Sequence, residues 1–299
     1  MFWGFLKFST LLYINTYKLI CLNFNMLHII GIGYKKEHIN FEMMEIIKKC
    51  SYVFLEYYTS FYEDDFEVLS DFISKKITIC NREDIEVNVE EKILSKSVTE
   101  DVAMLVLGDP LIATTHTDLI IRCKESGIDF KIYNNVSVAN YIAKTGLQFY
   151  KFGKITSIPF FGEKFMPRTP FIVYNENQKI FAHSLFLLDL NPSSDFAYKG
   201  KSRFLTAGDA LSFLIKIQKI MIENDEISEN EITNMLSLNS YVICCSRMGF
   251  NDERIVYGTF SQIIELDKNS NFKEPLCIII PCKMHEIEQK FLEMFYKIN

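Results

Sequence analysis

The stretch LGDPLIATTHTDLI, residues 107–120, decides how this chain is read. The apolar run before it, DVAMLVLG at 101–108, has the length and composition of a strand buried on both faces. That run stops at Gly108-Asp109-Pro110, and Thr114, Thr115, His116, Thr117 and Asp118 open a helical pattern that reaches Ser126 and closes at Gly127. A buried strand that ends in a rigid turn and hands over to a helix marks the ligand edge of an open α/β sheet, where sites gather at the strands' carboxyl ends.

The flanking sequence repeats the alternation. MLHIIGIG (26–33) reads as a strand and INFEMMEIIKKC (39–50) as a helix. SYVFLEYYT (51–59) is a strand whose end is crowded with Glu56, Tyr57 and Tyr58, and EDDFEVLSDFI (63–73) is an acidic helix. A strand at KITIC (76–80), a helix near VEEKILS (89–95), a strand at DFKIYN (129–134) and a helix at SVANYIAKTG (137–146) continue the series. Such alternation predicts a mostly parallel sheet. The pattern changes around GLQFYKFGK, so the reading is an N-terminal α/β domain over 26–150 and a C-terminal α/β domain over 151–299. In the second, SLFLLDL, YVICCSRMG and CIIIP read as strands, while AGDALSFLIKIQKIM and MHEIEQKFLEMF read as helices. Residues 162–182 and 191–204 read as long loops.

Composition narrows the function classes. The 299 residues are 48% hydrophobic and 23% charged, the profile of a folded protein, and the net charge is −6 without a basic stripe, which argues against a nucleic-acid partner. Eight cysteines include no C-x-x-C pair, and they read as reduced core residues of a cytoplasmic protein, with no metal site expected. Residues 1–25 lack an acidic residue, but Lys7 and Lys18 interrupt the apolar run, so neither a membrane span nor a signal peptide fits. They are expected to be an extension ahead of Met26, unstructured or not native.

The chemistry points to the Gly-Asp-Pro turn. A carboxylate at Asp109 on the ligand edge is placed to accept hydrogen bonds from an ammonium or from hydroxyls; equally, an Asp in a turn bonds its own backbone. Thr114 or Thr115 is a candidate cap for the following helix. GIGYKK at 31–36 fails the dinucleotide fingerprint because the third glycine falls at Lys36. Its glycines serve either close ligand approach or a tight turn. The chain has no G-x-S-x-G, H-E-x-x-H or Walker loop.

Taken in order, LHIIGIG, VFLEYYTS, NREDIE, VLGDPLIATTHTDLIIRCKESGI, NNVSVANY, GLQFYKFGKITSIPFF, HSLFLLDL, SRMGFNDERIVYGTF and EPLCIII make the chain resemble the diphthine synthases. These are a branch of the S-adenosylmethionine-dependent tetrapyrrole methylase fold. The resemblance implies an α/β, two-domain fold, each lobe a mixed, mostly parallel sheet flanked by helices, with the ligand cleft between lobes and usually a homodimer. It implies contacts to S-adenosyl-L-methionine from Tyr34, Asp109, Ile112, Ser137, Val138, Leu188, Met248 and Cys277. Ile112 stands where the family commonly has glycine, and Cys277 where it commonly has histidine. The implied substrate is the modified histidine of translation elongation factor 2, whose aminocarboxypropyl arm offers an amine and a carboxylate. The eukaryotic type also forms the methyl ester.

Methyl transfer from a sulfonium is an in-line displacement with a leaving group that needs no protonation, so alignment alone supplies much of the catalysis. An amine nucleophile must still lose a proton, and His116 is the candidate base. Two other readings stand beside this one: a methylase of a corrin precursor, and a donor-binding scaffold without catalysis, the latter suggested by Ile112 and Cys277.

Overall fold

Successive side chains of the first strands join opposite layers of core, one on each face of a single sheet. The computed structural model describes residues 25–191, 203–269 and 271–298, so nearly all of the N-terminal extension lies outside the described residues. Strands β1 (Met26–Gly31), β2 (Tyr52–Glu56), β3 (Ile77–Cys80), β4 (Val102–Val106) and β5 (Asp129–Tyr133) form a wholly parallel sheet in the order β3-β2-β4-β1-β5. Leu27, Ile29, Phe54, Met104 and Val106 face one side, with Leu119 and Cys123 of helix α3 (Thr117–Glu125). Ile30, Val53, Leu55, Ala103 and Leu105 face the other, against helices α1 (Phe41–Lys49) and α2 (Phe66–Ile73). Every residue of β4 is buried, which is why its sequence is a continuous apolar run.

The second sheet has the order β11-β10-β12-β7-β6 and is built from β6 (Thr156–Ile158), β7 (Ser184–Leu188), β10 (Tyr241–Ser246), β11 (Arg254–Thr259) and β12 (Leu276–Ile280). It is mixed, but only the β6–β7 pair is parallel; the other three pairings are antiparallel, in place of the mostly parallel arrangement expected for this lobe. The reason is local. β10 and β11 are joined by the short turn 247–253, and antiparallel neighbours need only such a turn, whereas parallel ones need a crossover. Strands β8 (Leu190–Asn191) and β9 (Arg203–Phe204) pair antiparallel at the ends of the second expected loop, whose middle lies outside the described residues.

The first expected loop is corrected. Residues Thr169–Lys179 form helix α4, with Pro170 in its first turn. Its buried side includes Asn175, Asn177 and Gln178 as well as Phe171 and Tyr174, so no apolar stripe marks it in the sequence. Those amides are bonded to backbone: Asn175 to Glu231 and Thr233, Asn177 to both backbone groups of Lys154. Helices α5 (Ala207–Glu223), α6 (Phe260–Lys268) and α7 (Glu286–Phe295) complete the lobe. Among the described residues, no helix is long and apolar enough to cross a membrane.

Glu288 in the first turn of α7 holds the segment GLQFYKFG in place. Its buried carboxylate accepts from the backbone N–H of Gln148 at 2.8 Å and of His285 at 2.6 Å, and from the Lys151 ammonium. His183 Nδ1 accepts from the Cys282 N–H, so its Nε2 carries the proton that it donates to Glu288 at 3.2 Å. Burial alone would raise the Glu288 carboxyl, but the Lys151 ammonium and the other donors hold it down to about 2. Glu288→Ala leaves these buried donors unpaired, a loss of about 3 kcal/mol that lowers Tm by about 5–10 °C. A depressed folded pKa contributes stability above the ordinary carboxylate range and loses it as pH falls through the folded value. Thermal melts of the wild type and Glu288→Ala, followed by circular dichroism, therefore converge as pH falls from about 5 toward about 2.

Candidate active site

The loops after β1, β4 and β5 meet at one carboxylate. Asp109 is 3% exposed. Its Oδ1 accepts from the Leu111 N–H at 2.9 Å, the turn contact open to an Asp at this position, and its Oδ2 accepts from Asn134 Nδ2 and the Asn135 N–H, both at 3.0 Å. Asn135 then reaches across to the carbonyls of Gly31 and His38. The glycine loop sits directly against the Gly-Asp-Pro turn, with Gly33 and Gly108 exchanging backbone hydrogen bonds of 3.1 and 2.8 Å. A Cβ on Gly31 would lie 2.7 Å from the Gly108 oxygen and 2.8 Å from Pro110 Cδ. Glycine is required there for loop-on-loop packing rather than for ligand approach.

Between the two lobes lies a cavity of about 310 Å³, within the range of small-ligand sites. All eight positions expected to contact a donor line it: Tyr34, Asp109, Ile112, Ser137 and Val138 from the first lobe, Leu188, Met248 and Cys277 from the second. Buried Tyr34 accepts from the Val138 N–H at 2.9 Å, and burial pushes its phenol well above the ordinary range. Ile112 is at the rim, 41% exposed, and the left-handed residue of this turn is its neighbour Ala113 at φ 59°, so position 112 has no need of glycine. Cys277 lies opposite Cys245 in the antiparallel register, and both residues line the cavity wall.

The lobes are joined beside this cavity by the β10–β11 turn. Arg247, itself at φ 51°, bonds Glu63 at 3.3 Å, and the Asn251 N–H reaches the same carboxylate. Phe250 lies between the Arg247 guanidinium, 4.1 Å from its ring centre, and the Tyr34 ring, stacked at 5.3 Å.

His116 is not in the cavity. It is 1% exposed and sits behind the Gly-Asp-Pro loop, with Nδ1 3.0 Å from the Pro110 carbonyl. The threonines do not cap α3 through their side chains either. Thr114 donates to Pro110, closing the loop on itself, and the Thr115 hydroxyl reaches Glu86 at 3.5 Å. Glu56, at the end of β2, is fully buried beside His116; burial raises its carboxyl and the imidazole opposes that rise. Among the lining residues outside the expected set are Asp189, Ser157, Cys245 and Pro275. Asp189 follows β7 as Asp109 follows β4, and that strand-end position was the available signal.

The cavity's charge is one-sided. Asp109 and Asp189 contribute carboxylates, and among the described residues no lysine, arginine or histidine lines it. Such a wall favours a cationic ligand.

A family model described as Tetrapyrrole (Corrin/Porphyrin) Methylases matches residues 26–264. The chain belongs to the tetrapyrrole methylase family. Within it, the similarity runs to diphthine synthases. A diphthine methyl ester synthase of Dictyostelium discoideum is 35% identical over 90% of this chain and 98% of its own length. A diphthine synthase of Methanococcus aeolicus is 34% identical over 90% of this chain and 97% of its own. A crystal structure assigned to a diphthine synthase of Entamoeba histolytica superposes with a TM-score of 0.78 at 30% identity, covering 92% of this chain and 99% of that one. The family to which the chain belongs is one of methyltransferases, and the two-lobed fold with a cleft is the family's.

Asp109 is thus a structural acceptor within the cavity wall, and an amide cannot replace it. In Asp109→Asn the new NH2 group faces either the Leu111 N–H or the Asn134 and Asn135 donors. Both Asp109→Asn and Asp109→Ala are expected to weaken binding of S-adenosylhomocysteine by about tenfold or more, as titration calorimetry would record. Asp109→Asn binding as tightly as the wild type would contradict this assignment.

Proposed function

We propose that the chain uses S-adenosyl-L-methionine to methylate the aminocarboxypropyl-histidine of translation elongation factor 2, forming diphthine. The observation that carries this reading is the inter-lobe cavity lined by all eight expected donor positions, with two carboxylates and, among the described residues, no basic side chain. S-adenosyl-L-methionine would supply an electrophilic methyl on a cationic sulfur, and the acidic wall suits that charge. Tyr34, Ser137 and Val138 would hold it from the first lobe, and Leu188, Met248 and Cys277 from the second. Buried apolar side chains such as Leu188 and Met248 exclude water from that side. Among the described residues no imidazole lines the cavity and His116 lies outside it, so solvent rather than His116 would take the amine's proton.

The relatives' names support the substrate. They do not divide on the product, since the Dictyostelium and Methanococcus proteins differ by one percentage point in identity to this chain. We infer the methyl ester product of the eukaryotic type from the motif blocks, together with a homodimer acting in the cytoplasm. The decisive assay incubates purified protein and methyl donor with elongation factor 2 that carries the unmethylated arm, followed by mass spectrometry of the modified peptide. The expected result is methylation of both the amine and the carboxylate, the latter removed by mild alkali. Donor binding without any transfer would favour the scaffold reading, and transfer to a corrin precursor alone would favour the tetrapyrrole reading.

A further inference from the structure

Glu56 and His116 form a pair that no step above uses, sealed at 0% and 1% exposure between two loops of the cavity wall. Glu56 Oε1 accepts from the N–H groups of Tyr58 and Thr59, at 3.5 and 3.2 Å, and so shapes the loop after β2. His116 Nδ1 faces the Pro110 carbonyl, which can only accept, so Nδ1 carries a proton and fixes the loop after β4. The remaining atoms, Glu56 Oε2 and His116 Nε2, are 3.8 Å apart and among the described residues neither has a hydrogen-bond partner, though the Thr59 side chain also opposes the rise of the Glu56 carboxyl. That gap is too short for a bridging water.

A neutral imidazole with its proton on Nδ1 would point a lone pair at a carboxylate oxygen, and the site would bury an uncompensated charge. One additional proton removes both problems, whether it resides on the carboxyl or on Nε2. We propose that Glu56 and His116 share a single proton and that the protonated pair is a clasp, holding the Tyr58–Ser60 loop to the Gly108–Thr114 loop and thereby positioning two walls of the donor cavity. The inference rests on that cavity being the donor site.

The surroundings are consistent with this. Cys80 of β3 is the register neighbour of Glu56, and the Arg82 guanidinium lies over the Tyr58 ring at 5.1 Å. On the far side, Glu86 and Asp118 line a second, smaller cavity together with His116 and Thr115. Those two acids disfavour loss of the shared proton, and Arg82 favours it from beyond the tyrosine ring. Burial raises the Glu56 carboxyl, with His116 opposing, so the clasp is intact at low pH and opens as pH rises.

Glu56→Gln is the conservative test, because its amide can donate to Nε2 and its oxygen can accept from Tyr58 and Thr59 without a proton to lose. Calorimetry with S-adenosylhomocysteine from about pH 5.5 to about pH 9 is expected to show wild-type affinity falling on the order of tenfold at the alkaline end. Glu56→Gln gives a flat profile, and Glu56→Ala binds weakly throughout. Histidine ring 15N spectra of the free protein read the pair independently of donor: Nδ1 of His116 is protonated, and its Nε2 signal moves with pH in the wild type but not in Glu56→Gln. An identical pH response in the wild type and Glu56→Gln, wild-type affinity in Glu56→Ala, or an unprotonated Nδ1 overturns the proposal. Expected spectra with no donor binding at any pH overturn the donor reading of the cavity and leave the shared proton standing.

Discussion

The carboxylate of Asp109 gathers three hydrogen bonds from the backbone of its own turn and from the loop after β5, and the placement of the cavity depends on that gathering. A buried carboxylate without donors would be far from its preferred state. With three donors in place it becomes a fixed point. Asn135 passes the constraint on to the carbonyls of Gly31 and His38, and the Gly33–Gly108 bridge closes the triangle. Tyr34, carried by the glycine loop, then fixes the Val138 N–H. The first lobe's wall is one connected network.

Beside the cavity, the second lobe meets that wall through one turn, while Ile142 and Leu147 pack into its core farther along. Arg247 and Asn251 both engage Glu63, while Phe250 fills the space between Arg247 and Tyr34. Because Met248 sits within the same turn, the contact that joins the lobes there also sets a cavity-lining side chain. A methyltransferase that works by alignment needs this kind of rigidity more than it needs a nucleophile and base, since the chemistry asks chiefly for in-line geometry. Among the described residues, the cavity wall carries no imidazole, which fits that division of labour.

Much of this was legible in the sequence. The continuous apolar run of β4 and the abrupt Gly-Asp-Pro turn located the site, because a strand buried on both faces leaves no other pattern. The resemblance added the eight lining positions, which periodicity alone does not reveal. Helix α4 was hidden because its buried face mixes Phe171 and Tyr174 with Asn175 and Asn177, whose amides are satisfied by partners distant in sequence. His116 was misread for a related reason: its partners, Pro110 and Glu56, are set by the fold, and nothing local shows that the ring turns away from the cavity. Asp109 carried two readings in the sequence, and the structure realises the turn contact while keeping the residue in the wall.

The most direct test is a crystal structure of the protein with S-adenosylhomocysteine. The account predicts the ligand between the lobes, in contact with Ile112, Ser137, Val138, Leu188, Met248 and Cys277, while the Leu111, Asn134 and Asn135 donors remain on Asp109. A ligand bound elsewhere, or an Asp109 carboxylate released from those donors to hold the ligand itself, would contradict it.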